Sequence, residues 1–250
     1  MTRYDRAVEF FVAAVIGACM GSFGNVLIDR LPSGESILGR SRCDGCKRTL
    51  SPFELVPFFS WIVLRAKCRT CGERIPKRVP FVECFSALLG VFAVYHAVGA
   101  MHAAVPLFIA LWALLLIAVI DTRTRTIPDV LTLVAFVAAL AYQWFSMDAV
   151  PVAAPLIAAS FFGAQWLLSR GRWVGSGDIL LAAATGMLVG TPHGALWLLM
   201  ASYAIGANVA IVLILRKKLS RGDMIPFGPF LVVAAYAVVF AGEALPPLPF

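Results

Sequence analysis

The chain has 250 residues, of which 60% are hydrophobic and only 14% charged, with a formal net charge of +7 and a mean hydropathy of +0.86. A soluble domain carries about 25% charged residues, so this composition excludes a soluble globule, a disordered chain and a secreted disulfide scaffold. It specifies a membrane protein whose lipid-spanning parts are helices, because no other open structure satisfies its own backbone in hydrocarbon.

Eight apolar segments run along the chain: 10–28, 81–100, 104–120, 130–147, 150–168, 178–191, 194–215 and 227–241. Several are shorter than the about 20 residues of a straight span. The expected fold is all-α: a polytopic bundle of about eight transmembrane helices with a small zinc-binding loop domain. The first segment is longer than a signal-peptide core of about 7–15 residues, and no small-residue cleavage site precedes Arg30, so it reads as a span. Within it, Gly21-Ser22-Phe23-Gly24 are read as helix-packing positions and Asn25 as an interhelical hydrogen-bonding residue.

The loop at 29–80 contains Cys43-Asp-Gly-Cys46 and Cys68-Arg-Thr-Cys71. Two Cys-x-x-Cys knuckles at this separation present four thiolates that close a tetrahedron around zinc. Four sulfurs leave no open coordination position, so the zinc is structural and staples a segment too short to bury a core. Cys19 and Cys84 fall in or beside spans and read as small core residues. Glu83 opens the second span; it contacts a substrate or methyl donor, or pairs with Arg78.

Asp121 closes the third apolar run. Asp129 follows Pro128 and reads as the cap of the next span. Asp178 ends Gly175-Ser176-Gly177 and opens the sixth run. Taken singly, Asp178 reads equally as a helix N-cap, and Asp121 as an ion-pair partner of Arg123 or Arg125. Gly175 and Gly177 permit a strained turn and the close approach of another backbone. His96, His102 and His193 lie away from the aspartates, with no Ser-His or Cys-His pairing on their side. No internal repeat or low-complexity tract is evident.

The basic residues fix an orientation. Arg3 and Arg6 precede the first span, eleven Lys or Arg lie from Arg30 to Arg78, and the rest follow spans three, five and seven as Arg123 and Arg125, Arg170 and Arg172, and Arg216, Lys217, Lys218 and Arg221. Nineteen of the twenty-one therefore share one face, which the positive-inside rule makes cytoplasmic. The zinc loop and Asp121, Asp129 and Asp178 lie on that face, and both termini lie outside. Topology accounts for the basicity, so no nucleic-acid partner is inferred. Two intramembrane-edge carboxylates on one face point to an aspartyl protease dyad, in which one acid stays protonated while the other activates water.

These motifs resemble, nearly end to end, those of the prepilin peptidases, the type IV prepilin leader peptidase and N-methyltransferase family. The segments that carry the likeness are Gly21-Ser-Phe-Gly-Asn-Val-Leu-Ile-Asp-Arg-Leu-Pro32, the two cysteine knuckles, Ser60-Trp61, Ile75-Pro-Lys-Arg-Val-Pro-Phe-Val-Glu83, Asp121 with Ile127-Pro128-Asp129, Gly175-Ser-Gly-Asp178, and Ile225-Pro-Phe-Gly-Pro-Phe-Leu231. The resemblance implies a multi-pass protein of the bacterial inner membrane. It implies cleavage of a short basic leader from prepilins or pseudopilins, then N-methylation of the new terminus with S-adenosylmethionine. By the same resemblance Asp121 and Asp178 are the catalytic pair, with Asp129, Gly175, Gly177 and Glu83 in support; no residue is assigned to the methyl donor. Leu180 stands where many members carry Lys. The implied partition is a first helix at 1–28, the zinc loop at 29–80 and a peptidase core at 81–250. A peptidase without methyl transfer, or a proton-coupled transporter, are the alternative readings. Client and oligomeric state are not specified by the sequence.

Overall fold

The computed structural model describes residues 3–97, 100–147, 150–218, 225–242 and 246. Met1, Phe250 and Arg221, on which part of the expected orientation rests, lie outside them. The described residues form helices α1 (Arg3–Arg30), α2 (Phe59–Val63), α3 (Arg78–His96), α4 (Met101–Thr124), α5 (Asp129–Met147), α6 (Ala153–Ser169), α7 (Ser176–Val189), α8 (Pro192–Leu215) and α9 (Gly228–Ala241), with no strand among them beyond two isolated bridges. All but α2 fall on the apolar segments. By length and composition five qualify to cross a membrane: α1 over Arg6–Arg30, α3, α4, α5 over Asp129–Ser146, and α8. The others, α6, α7 and α9, are shorter. A helix of 14 residues, as in α7 and α9, reaches about 21 Å, less than a hydrocarbon core of about 30 Å.

The chain divides into two compact units, Met1–Ala104 and Val105–Phe250. In the first, α1 and α3 pack along a seam of small residues. A Cβ on Gly17 would stand 2.5 Å from the Ser86 carbonyl oxygen, and one on Gly21 would stand 2.6 Å from Glu83 Cα. Only glycine permits that approach, which is how helices associate where lipid offers no hydrophobic drive. Asn25 Nδ2 donates across the seam to the Val79 carbonyl at 3.1 Å and within its own helix to Gly21 at 3.2 Å. Arg78 pairs with Asp29 at 2.9 Å, not with Glu83.

The loop between α1 and α3 corrects the reading that the chain holds no repeat. Cys43 N–H donates to Arg48 O, Lys47 N–H to Cys43 O and Leu50 N–H to Ser41 O. At a constant offset, Cys68 N–H donates to Glu73 O, Gly72 N–H to Cys68 O and Ile75 N–H to Ala66 O. The bridges Arg42–Thr49 and Lys67–Arg74 correspond in the same way. Lys47 and Gly72, at matching positions, both take positive φ. The two knuckles are one backbone motif used twice.

In the second unit α4 is the most buried of the long helices, with Leu107, Leu111, Leu114, Leu116, Ile117 and Ile120 essentially inaccessible. It runs antiparallel to α9. Tyr236 donates its hydroxyl to Leu111 O at 2.6 Å near one end, and Gly228 N–H meets Asp121 at the other. Helix α7 packs against α5, α6, α8 and α9. Its C-terminus ends on Gly190 in the left-handed region, φ +77. There the buried Gln143 of α5 donates Nε2 to Met187 O at 3.2 Å and Leu188 O at 2.9 Å, supplying partners that a helix end lacks.

Candidate active site and metal centre

Asp121 sits in the last turn of α4 and is 4% exposed. Its Oδ2 accepts the Gly228 N–H at 3.0 Å. That donor opens α9, and helix N-termini offer unpaired N–H groups to an anion. The contact depends on glycine: a Cβ at 228 would stand 2.7 Å from Asp121 Oδ2 and 3.4 Å from the Leu181 side chain.

Asp178 is the third residue of α7, not its N-cap. Gly175 is the N-cap, and its N–H donates to Asp178 Oδ2 at 3.0 Å, the returning half of a capping box. Neither Gly175 nor Gly177 takes positive φ, and Gly175 has ordinary extended angles. Their smallness has other uses. A Cβ at 177 would press to 3.1 Å from Ile127, so this residue lets the 125–128 turn lie against the start of α7. Both carboxylates therefore lie at helix N-termini, Asp121 at that of α9 and Asp178 at that of its own helix. Leu181, one turn into α7 from Asp178, lies 3.4 Å from where a Cβ on Gly228 would stand, so the start of α7 adjoins the Gly228–Asp121 contact. Leu180, two residues on, is exposed on another face of α7.

Aromatic residues line the same end of the unit. Phe227, just before Gly228, lies 5.0 Å from Tyr203 of α8 and 5.5 Å from Phe162 of α6 by ring centroids. Tyr203 donates its hydroxyl to Gln165 at 2.8 Å. Asp129 begins α5 as its first-turn acid and is exposed. Sequence reasoning missed Gly228 and Tyr203. The Pro226-Phe-Gly-Pro229 run ahead of an apolar segment marks a helix start, but it does not announce that the first N–H meets a distant aspartate.

In the first unit Glu83 is buried on α3. Its Oε2 accepts the Phe58 N–H at 2.7 Å, and the Ser22 hydroxyl also bonds to it. It thus ties the loop to both helices of the seam.

Cys43, Cys46, Cys68 and Cys71 converge, one buried and one exposed residue from each knuckle, their sulfurs all within 4.8 Å of one another and those of Cys43 and Cys71 at 3.6 Å. A zinc tetrahedron with bonds of about 2.3 Å separates sulfurs by about 3.8 Å, so the set fits that ion. The N–H groups of Cys71 and Thr70 point at Cys68 and lower its thiol to about 6, while desolvation and the neighbouring sulfurs push Cys71 up to about 11; the fit to zinc therefore rests on the convergence of the four sulfurs. Beside the first knuckle, Arg48 grips Glu54 with two bonds of 2.7 and 3.0 Å, and Ser51 N–H adds a third at 2.9 Å. Together they keep that carboxyl at about 2.

Two family models match the chain: the bacterial peptidase A24 N-terminal domain over residues 15–97 and the type IV leader peptidase family over residues 108–211. Three relatives, each named prepilin leader peptidase/N-methyltransferase, align over most of their length. The protein of Stutzerimonas stutzeri is 30% identical, covering 93% of this chain and 91% of its own. That of Pseudomonas putida is 30% identical over 96% and 93%. That of Burkholderia pseudomallei is 32% identical over 94% and 86%. No solved structure matches.

Proposed function

The chain belongs to the type IV leader peptidase family, and from that premise we propose that Asp121 and Asp178 are its catalytic dyad, cleaving the basic leader of a prepilin or pseudopilin at the cytoplasmic face of the inner membrane. What supports the reading is that two carboxylates, each accepting a helix N-terminal N–H, belong to the end of α4 and the start of α7, which adjoin at Gly228.

The chemistry follows from like charges in close quarters. The pair shares one proton, because both acids do not ionise easily together. The ionised member takes a proton from a water held between them, and the resulting oxygen attacks the scissile carbonyl. The neutral member donates its proton to the carbonyl oxygen, giving a tetrahedral diol. Collapse breaks the C–N bond as the leaving nitrogen takes the pair's proton, and a diol hydroxyl gives its proton back to the pair as it becomes the new carbonyl, which restores the shared-proton state. The two titrate as a unit, so neither is named the acid or the base. Gly228 positions Asp121, while Gly175 and Gly177 shape the turn that sets Asp178. Asp129, at the start of α5, is read as a supporting residue that begins the next span.

The zinc loop is a structural clip held by Cys43, Cys46, Cys68 and Cys71, and a bound ion would lock the two knuckles together. Helices, loop and dyad take the orientation given by the basic residues, with the loop facing the cytoplasm and the termini outside. After cleavage the new N-terminal amine is methylated with S-adenosylmethionine as donor substrate, as the names of the relatives indicate for those proteins.

Purified protein in detergent, incubated with a prepilin-type peptide and analysed by mass spectrometry, tests this. The expected product has lost its leader, and with S-adenosylmethionine present it gains one methyl group. An unprocessed peptide refutes the peptidase reading; processing without the gain refutes only methyl transfer.

A further inference from the structure

We propose that the stretch Phe53–Val63 of the zinc loop is a membrane anchor, lying in the headgroup and acyl-chain boundary of the leaflet from which the loop emerges. The loop leaves α1 at Arg30 and enters α3 at Arg78, and the Arg78–Asp29 pair joins those two helix ends. Both helices qualify as spans, so their charged ends mark the headgroup level.

The loop is pulled back to that level. Glu83 lies five residues inside α3, about 7.5 Å below Arg78 along the axis. Its side chain leans toward the helix N-terminus and takes the Phe58 N–H at 2.7 Å. Phe58 is therefore no farther from the bilayer than the helix ends, and its neighbours go with it.

Those neighbours face outward with apolar groups. Phe53 is 86% exposed, Phe59 68%, Ile62 50% and Val63 76%. A short helix standing in water turns its polar face out; α2, Phe-Ser-Trp-Ile-Val, does the reverse. Its Trp61 is turned to the second knuckle, with Nε1 donating to Ile75 O at 3.4 Å. An apolar patch of this kind on a segment tethered at a bilayer needs a partner, and the acyl boundary beside it is apolar.

The charges agree with that partner. Glu54, the acid within the stretch, is turned onto Arg48. Arg65, Lys67, Arg69, Arg74 and Lys77 follow the apolar stretch directly. Basic residues at this level attract anionic headgroups.

Photo-crosslinking of the full chain tests the anchor. Benzoylphenylalanine replaces Phe53, Phe59 or Val63 singly, with Lys47, an exposed residue at a knuckle tip, as reference. The protein is reconstituted in nanodiscs of phosphatidylethanolamine with phosphatidylglycerol, or of phosphatidylcholine alone, and zinc content is checked for each. We expect lipid adducts at Phe53, Phe59 and Val63 in several-fold excess over Lys47, with lower yield once phosphatidylglycerol is removed. Equal yields at all positions, or adducts to the Val105–Phe250 half or to a second chain in place of lipid, overturn the anchor. Yields unchanged without phosphatidylglycerol overturn the headgroup part. Phe53, remote from the Glu83 clamp, remains informative where a probe at Phe59 disturbs the loop.

Discussion

The most specific prediction concerns Gly228→Ala. The new Cβ would stand 2.7 Å from Asp121 Oδ2, whereas ordinary contact begins at 3.4 Å, so the carboxylate must retreat by about 0.7 Å. It has little room, being almost fully buried, and the new Cβ is itself 3.4 Å from the Leu181 side chain. The Gly228 N–H bond of 3.0 Å then stretches beyond hydrogen-bonding range. A hydrogen bond to a charged group contributes about 1.5–3 kcal/mol, and misplacing a reacting group by about 1 Å costs on the order of 100-fold in rate. The expected result is a fall in kcat of about 10- to 100-fold, with KM for the peptide little changed because the substituted atom meets the aspartate. The assay is steady-state cleavage of a prepilin peptide in detergent, beside thermal unfolding to show that the bundle is intact. A folded Gly228→Ala protein with wild-type kcat refutes the claim that this N–H positions Asp121.

Three further outcomes are expected. Purified protein holds one zinc per chain by metal analysis, and Cys43→Ser lowers that content and opens the loop to proteolysis; zinc-free wild-type protein contradicts the clip. Gly21→Leu drives a side chain into the α3 backbone and destabilises the first unit by about 1–3 kcal/mol, read as a lower Tm; an unchanged Tm contradicts the close seam. Gln143→Leu removes both bonds to the end of α7 and lowers Tm by the equivalent of about 1 kcal/mol, in keeping with polar contacts inside membranes; equal stability contradicts that capping role.

The helices are legible in the sequence because apolar run length carries the signal, and each run coincides with a helix to within a few residues at most of its ends. Which helices are long enough to cross is less legible: α7 and α9 stop at 14 residues, and both begin at the candidate site. The four cysteines are legible from spacing alone. The doubling of the knuckle is not, because the cysteine pairs and the aliphatic pair Leu50 and Ile75 are nearly all that correspond in residue type, while the repeat itself is written in backbone hydrogen bonds. Asp121 and Asp178 stand out as acids at the edges of apolar runs. Their partners do not, since Gly228 and Gly175 act through main-chain N–H groups, which look the same at every residue. The position of Asp178 within α7 also escapes sequence reading: an acid before an apolar run suits an N-cap or the third helical position, and only the Gly175 bond distinguishes them.

Replacing either aspartate by its isosteric amide tests the dyad most directly. Asp121→Asn and Asp178→Asn, each purified and reconstituted with a prepilin-type peptide, should insert, bind zinc and release no leader by mass spectrometry, while wild-type protein processes the peptide under the same conditions. Leader release at the wild-type rate by either variant contradicts the shared-proton mechanism.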